Sequence, residues 1–312
     1  MKTTKNLTLK GLTFSEAKED EARETLERLR WGDAVACPRC GSMEVSKIEP
    51  KAAKKIRKGL YRCRDCRKNK TSNQFTVTVG TIFEDSHIPL YIWLQAISLL
   101  CASKKGMSAH QLHRQLGIMY KSAWFMAHRI RYAMQQKITK RRMKGVIEAD
   151  ETWVGGKSRR IGQQTGWENK TPVVALVQRN GKVRSFVVPT VTASTLKETL
   201  LANVHPKSHL VTDELDGYKK IGKEFASHQT VKHGDYEYVR GDVTTNTVEG
   251  YFGLLKRGIN GVYHHVSKEH LHRYLAEFDF RYNHRKTNDH KRTVSAIMST
   301  EGKRLTYRDS LS

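Results

Sequence analysis

Acidic residues are scarce in this 312-residue sequence: 31 Asp+Glu stand against 56 Lys+Arg, a formal charge of +25. An imbalance of that size costs self-repulsion in a folded chain, and a polyanion is its usual counterweight. Long apolar runs are also lacking. No stretch approaches the ~18 residues that a spanning helix needs, so no membrane partner is expected. The polar start, Met1 to Lys10, lacks the apolar centre of a secretory signal, and a soluble, cytoplasmic protein facing nucleic acid is expected. Cysteine is sparse as well. Four of the five sit in two close pairs, which argues against a disulfide scaffold and for metal. Neither an internal repeat nor a low-complexity segment is found, and the hydrophobic share of 38% is low for an enzyme. The length still leaves room for two or three domains with a sizeable core.

Residues 13 to 31 read as a helix, with Thr13 and Glu16 at capping-box spacing, Leu12 as a staple and Gly32 after the last turn. Phe75 to Phe83 alternates Val, Thr and Phe and reads as a strand. Pro89 opens a helix carrying Trp93, Leu94, Ile97 and Leu100 on one side. From Ser108 the pattern is helix, turn, helix, broken at Gly117 and resumed from Tyr120 to Met134. Both a DNA-binding helix-turn-helix and a plain helical hairpin fit that pattern. After Arg142 the texture changes. Strands are expected at Val146 to Val154, Val173 to Arg179 and Lys182 to Val188, the last two joined by a type I′ turn at Asn180-Gly181. Helix Leu196 to Val204, strand His209 to Thr212, a helix near Tyr218 to Phe225 and a strand near Thr230 to His233 follow. Helices from Asn246 to Arg257 and from Lys268 to Tyr282 precede a polar, basic tail. Three antiparallel strands leading into parallel β-α units make a mixed α/β sheet flanked by helices, with carboxylates where such a sheet commonly places its site.

Cys37-Pro38-Arg39-Cys40-Gly41 and Cys63-Arg64-Asp65-Cys66 form a C-x2-C-x22-C-x2-C array. Each pair can offer two thiolates to one tetrahedral Zn²⁺, and four protein ligands close the sphere, so this zinc is expected to be structural. The basic residues between the knuckles (Lys51, Lys54, Lys55, Arg57, Lys58), with Arg62, Arg64, Arg67, Lys68 and Lys70, point to phosphate contact. Cys101 lies in an apolar helix and reads as an inert core thiol.

Three further positions stand out. Asp150 lies in an apolar strand, where alternation puts Glu148, Asp150 and Thr152 on one face and Ala149, Glu151 and Trp153 on the other. Asp213 ends the strand Leu210-Val211-Thr212. The helix from Asn246 can present Asn246, Glu249 and Lys256 toward one side. Carboxylates on neighbouring strands plus one helix ligand can hold two divalent ions about 4 Å apart. His264, His265, His270 and His272 read as polar residues near DNA, Trp31, Trp93 and Trp124 as core anchors, and Trp153 fits either role.

With these motifs in hand, the chain resembles bacterial insertion-sequence transposases that carry an N-terminal zinc ribbon and an Asp-Asp-Asn or Asp-Asp-Glu catalytic domain. The resemblance rests on the Cys37 to Gly41 knuckle, Glu148 to Thr152 with Gly155-Gly156-Lys157, and Thr212-Asp213-Glu214-Leu215-Asp216-Gly217-Tyr218. Asn246 to Gly258, Tyr263-His264-His265-Val266-Ser267 and Arg281-Tyr282-Asn283 complete it. It implies an RNase H-like fold preceded by a zinc ribbon and a helical helix-turn-helix region. The implied layout is an N-terminal helical segment (1–34), zinc ribbon (35–88), helix-turn-helix region (89–142), catalytic domain (143–290) and basic tail (291–312). By motif match Asp150 and Asp213 become ligands of two Mg²⁺ or Mn²⁺ ions, Asn246 or Glu249 the third, and Lys256 a basic partner of the scissile strand. The implied reaction is strand cleavage at terminal inverted repeats followed by strand transfer to target DNA, by at least a dimer, in the bacterial cytoplasm beside the nucleoid. A catalytically silent DNA-binding regulator and an RNase H-like nuclease or resolvase are the rival readings.

Overall fold

The computed structural model describes residues 18–49, 57–136, 141–155, 170–232, 234 and 239–306. The chain divides into two units, Met1–Met134 with Thr287–Ser312, and Gln135–Lys286.

In the first unit, α1 (Glu19–Trp31) carries Glu19, Asp20 and Glu21 in its first turn and Arg28 and Arg30 in its last, the charge order that suits a helix dipole. Gly32 ends it with φ 61°. Leu12, Thr13 and Glu16, expected to open this helix, lie outside the described residues. The ribbon follows as an antiparallel sheet, β1 (Val45–Lys47), β2 (Tyr61–Cys63) and β3 (Gln74–Phe75), with the short α2 (Arg64–Lys68) after β2. The strand expected over 75–83 stops after Phe75. Its threonines bond locally instead, Thr76 Oγ1 with Thr78 Oγ1 (2.8 Å) and Thr81 Oγ1 to Thr78 O (2.6 Å). Arg30 Nη1 donates to the Val77 and Val79 carbonyls, both at 2.7 Å, and Gly80 turns at φ 74°. A ladder has nothing left to pair with there.

Helix α3 (Leu90–Ala102) starts after Pro89 and has no side-chain cap of its own. Glu19 supplies one from α1, accepting from Leu90 N (2.9 Å) and Tyr91 N (3.2 Å). Helices α4 (Ala109–Leu116) and α5 (Tyr120–Met134) flank the left-handed Gly117, and Ser108 caps α4. From Met126 to Arg131 every residue of α5 is buried. Its first turn is open, with Tyr120 and Lys121 exposed, and the N-terminal residues are the ones with which a groove-reading helix meets bases.

The second unit holds β4 (Val146–Val154), β5 (Thr171–Gln178), β6 (Val183–Val187), α6 (Ala193–Asn203), β7 (His209–Thr212), α7 (Asp216–Lys219) and β8 (Ser227–Thr230). Its sheet order is β6-β5-β4-β7-β8, with β4, β5 and β6 antiparallel and β7 and β8 parallel to β4. This is the mixed sheet expected from the element order, and it agrees with the RNase H-like fold that the resemblance implied. A small hairpin of β9 (Val239–Arg240) and β10 (Val243–Thr244), not foreseen from the sequence, leads into α8 (Asn246–Gly258) and then α9 (Leu271–Asn283). Alternation along β5 serves both faces. Val174 and Leu176 pack with Leu196, Leu200 and Tyr218 on one, while Val173, Ala175 and Val177 pack with Val248, Tyr251 and Leu255 on the other.

Three expectations need correction. The last sheet strand is Ser227–Thr230 rather than 230–233, because His209 to Thr212 pair in register with those four residues. The Asn180-Gly181 connection is not type I′: Asn180 takes φ 56°, but Gly181 is not left-handed. The Gln178 side chain folds over Gly181, where a Cβ would stand 2.4 Å from Gln178 Oε1. The expected basic tail instead contains α10 (Asp289–Met298), which packs on α3 and α1, buries Thr293, Ala296 and Ile297, and groups with the first unit.

Candidate functional site

In the ribbon, Gly41 at φ 74° turns the first knuckle so that Gly41 N reaches Cys37 O (2.8 Å) and Cys37 N reaches Ser42 O (2.9 Å). The second knuckle is the end of β2 running into α2, where Cys66 N points at Cys63 Sγ (3.4 Å). The sulfurs of Cys37, Cys40, Cys63 and Cys66 then stand close together, with pairs at 3.8, 3.6 and 3.5 Å. A tetrahedron of Zn–S bonds near 2.3 Å has edges of about 3.8 Å, so the donor set fits zinc in both chemistry and span. Burial raises the Cys63 thiol, yet the Cys66 amide and the neighbouring thiols bring it down to about 7. Such a group gives up its proton to a metal readily. Trp31 of α1 closes the small core, edge-on to Tyr61 (5.3 Å) and Phe75 (6.0 Å). Of the basic residues expected to touch phosphate, Lys51, Lys54 and Lys55 lie outside the described residues, while Arg64, Arg67, Lys68 and Lys70 are exposed.

The second cluster is built by register. β7 pairs with β4 through Val211 opposite Glu148, so Asp213 and Asp150 lie two residues further on along adjacent strands. Beyond Thr212 the chain leaves the sheet, with Leu215 N turning back to Asp213 Oδ1 (3.1 Å). That departure ends the pairing of β4 with β7 and lets side chains from both faces of β4 meet past the strand end. Asp150, Glu151 and Asp213 each bring a carboxylate oxygen within 4.8 Å of the others.

Strand alternation puts Glu151 on the opposite face from Asp150 and gives no sign that it belongs to the cluster, yet it does. Its longer side chain reaches the strand end, where Tyr218 OH donates to Oε2 (2.9 Å). Burial first, then the charges of Asp213 and Asp150, push Glu151 up to about 7 against the lowering effect of that hydrogen bond. Oxygen-only donors under mutual repulsion fit hard divalent cations such as Mg²⁺ or Mn²⁺.

The three helix residues expected at the site are all on α8. Asn246 is the exposed first residue of α8, its amide donating to Thr244 Oγ1 (3.1 Å). Glu249, one turn on, is exposed and accepts from Thr245 Oγ1 (2.6 Å); it is not a member of the carboxylate trio. Lys256 lines a cavity of about 380 Å³ with Trp153, Lys170, His264 and His265. Among the described residues no histidine belongs to either metal-competent cluster. Gly156 and Lys157 lie outside the described residues.

Known proteins place this arrangement. The ISXO2-like transposase domain matches residues 142–283 and the transposase zinc-ribbon domain matches 17–69. A protein in transposable element ISH50 of Halobacterium salinarum is 30% identical over 286 residues, 84% of this chain and 90% of its own length. Two solved structures show weak likeness. The simian T-cell lymphotropic virus intasome in complex with PP2A regulatory subunit B56 gamma has a TM-score of 0.28 and 16% identity over 54% of this chain and 67% of that one. A pre-cleavage Mos1 transpososome has a TM-score of 0.27 and 12% identity over 68% and 79%. Likeness at that level carries no weight for fold or function, and the assignment rests on the sequence matches. By those matches the chain belongs to the insertion-sequence transposases with an N-terminal zinc ribbon and an ISXO2-like transposase domain.

Proposed function

We propose that this transposase cuts DNA at the terminal inverted repeats of its element and joins the freed ends to target DNA, at the carboxylate cluster between β4 and β7. The observation that carries this reading is the convergence of Asp150, Glu151 and Asp213 within 4.8 Å at the open end of β7. Asp150 and Asp213 are the expected ligands of two divalent ions, with Asn246 or Glu249 completing the set from α8. Bound ions would neutralise the scissile phosphate and acidify the attacking water. The chain's own part is to hold the oxygens in place, with the buried Tyr218 fixing Glu151 through its hydroxyl. Water displaces a 3′-oxygen at the element end, and that 3′-hydroxyl then displaces the 3′-bridging oxygen of a target phosphodiester, leaving a target 3′-hydroxyl and a 3′–5′ joint. Neither step needs a serine or tyrosine nucleophile. Lys256, exposed on α8, would meet the strand's phosphates.

The ribbon would hold the protein on duplex DNA through its exposed Arg and Lys side chains, and the open first turn of α5 would read bases. An element has two ends, so at least two protomers are expected to act together in the cytoplasm.

Asp150→Ala and Asp213→Ala should each abolish cleavage of element-end DNA in Mg²⁺ or Mn²⁺ while leaving end binding intact. Wild-type cleavage by either variant sinks the reading. The same assay resolves the third ligand. If it is Asn246, Asn246→Ala is inactive, Asn246→Asp keeps measurable cleavage and Glu249→Gln is only partly impaired. If it is Glu249, Glu249→Gln is inactive and Asn246→Ala is not. Full activity in both Asn246→Ala and Glu249→Gln would remove α8 from the site.

A further inference from the structure

Glu148 is fully buried in the middle of the sheet, two residues before Asp150 on the same strand. A carboxylate in such a place is costly unless every lone pair is used. Here the bonds are complete. Oε1 accepts from Arg179 Nε (2.7 Å) and Thr247 Oγ1 (2.8 Å), and Oε2 accepts from the amides of Thr247 (2.8 Å) and Val248 (3.0 Å). The last two are first-turn N–H groups of α8, about a hundred residues away in the chain. The helix's own N-cap residue, Thr245, makes no capping bond.

A helix start needs acceptors for its open N–H groups, and a neighbouring Ser, Asp or Thr ordinarily supplies one. A local cap would stabilise α8 without fixing where it lies. A cap borrowed from β4 does both, because the acceptor belongs to the strand that also bears Asp150. Arg179, at the β5–β6 turn, completes the lock. Its Nη1 donates to Asp242 O and its Nη2 to Thr244 O (2.8 Å), holding the hairpin that delivers the chain into α8.

We propose that Glu148, locked by Arg179, is a positioning residue that sets the first turn of α8, and with it Asn246 and Glu249, at a fixed place relative to Asp150 and Asp213. The assignment rests on the carboxylate-site reading above and adds to it the element that makes a strand and a helix act as one ligand set. Glu148 touches neither substrate nor ion. It acts through the α8 amides.

The test uses the full zinc-loaded chain with Glu148→Gln, and with Thr247→Val as a milder change that removes one hydroxyl bond and leaves the buried charge paired. Three readouts are taken: hydrogen exchange of the peptide spanning 245–255, the Mn²⁺ concentration giving half-maximal cleavage, and affinity for element-end DNA. Residues that orient ligands typically contribute about 10–100-fold in metal affinity or activity. Glu148→Gln should therefore speed exchange at the start of α8 and raise the Mn²⁺ requirement by about 10-fold or more, with end binding unchanged. Thr247→Val should shift both in the same direction by less, and Arg179→Lys should fall between the two. Unchanged exchange in Glu148→Gln overturns the clamp. Faster exchange with a wild-type Mn²⁺ requirement overturns the positioning role and leaves Glu148 a purely structural cap. Asp150→Ala separates the levels. If that variant cleaves as wild type, the carboxylate site itself is wrong and this assignment falls with it. If it is inactive while Glu148→Gln keeps the wild-type Mn²⁺ requirement, only the positioning role is lost.

Discussion

Adjacent residues on one strand, Asp150 and Glu151, do different work because their side chains differ by one methylene and meet different neighbours. Asp150 is turned back on its own strand, its Oδ1 accepting from Glu151 N at 2.7 Å. Glu151 reaches the end of β7 and is held by Tyr218, with its carboxyl raised from an ordinary 4.5 to about 7. A carboxyl raised on folding is a proton that the folded state holds more tightly than the unfolded chain. Its contribution is therefore fully present below about 4.5 and is lost as pH rises through about 7. With zinc in the ribbon and no added Mg²⁺ or Mn²⁺, the melting temperature of the wild type minus that of Glu151→Gln should fall across that window. Asp279, buried with Tyr251 and raised to about 6, pushes both proteins in the same direction, and the difference cancels it. A difference that is flat from pH 4.5 to 8 would show that Glu151 is not held in the buried position beside Asp213 and Asp150 in solution.

Elements differ in what holds them, and the ribbon depends most on something outside the chain. Its core is Tyr61, Phe75 and the cysteines themselves, with Trp31 lent by α1. So small an apolar centre does not hold three strands of two or three residues each, and folding should be coupled to metal binding there. Cys37→Ser or Cys63→Ser should lose specific end binding, and the native chain should carry one zinc by elemental analysis. Absence of zinc from freshly purified, active protein would refute the ribbon. Much of this element plan was legible in the sequence. The knuckles declare themselves by spacing, and β4 and β7 match their expected limits because apolar runs and a terminal Asp bound them. Other parts were not legible, for physical reasons. Thr76, Thr78 and Thr81 look like strand residues but spend their hydroxyls on local bonds, ending β3 early. Helix α10 shows too few apolar positions to announce itself; Ala296 and Ile297 matter only once α3 and α1 are beside them. Glu151 and Tyr218 were hidden because alternation tells only which face a side chain leaves from: β4 stays paired with β5 at Glu151, but β7 has left its other edge, and that opening cannot be read from β4 alone. The role of Glu148 was hidden for a related reason: its partners on α8 are about a hundred residues away.

At the scale of the whole molecule, charge is the dominant fact. A chain of +25 meets DNA by releasing counterions, so log K for end DNA against log salt should be linear with a slope on the order of −5 or steeper. A flat dependence would mean that the excess charge serves something else. Charge would bring the DNA in, and the proposed chemistry that follows is direct displacement at phosphorus, at a carboxylate site, with no protein–DNA covalent link. The most direct measurement is the stereochemistry of joining. Purified protein, an element end with a free 3′-hydroxyl and a target phosphorothioate of one chirality are combined in Mg²⁺ or Mn²⁺, and the joined product is analysed at phosphorus. One in-line displacement predicts inversion, with no product from Asp150→Ala. Retention of configuration, or a covalent protein–DNA adduct, would contradict the account.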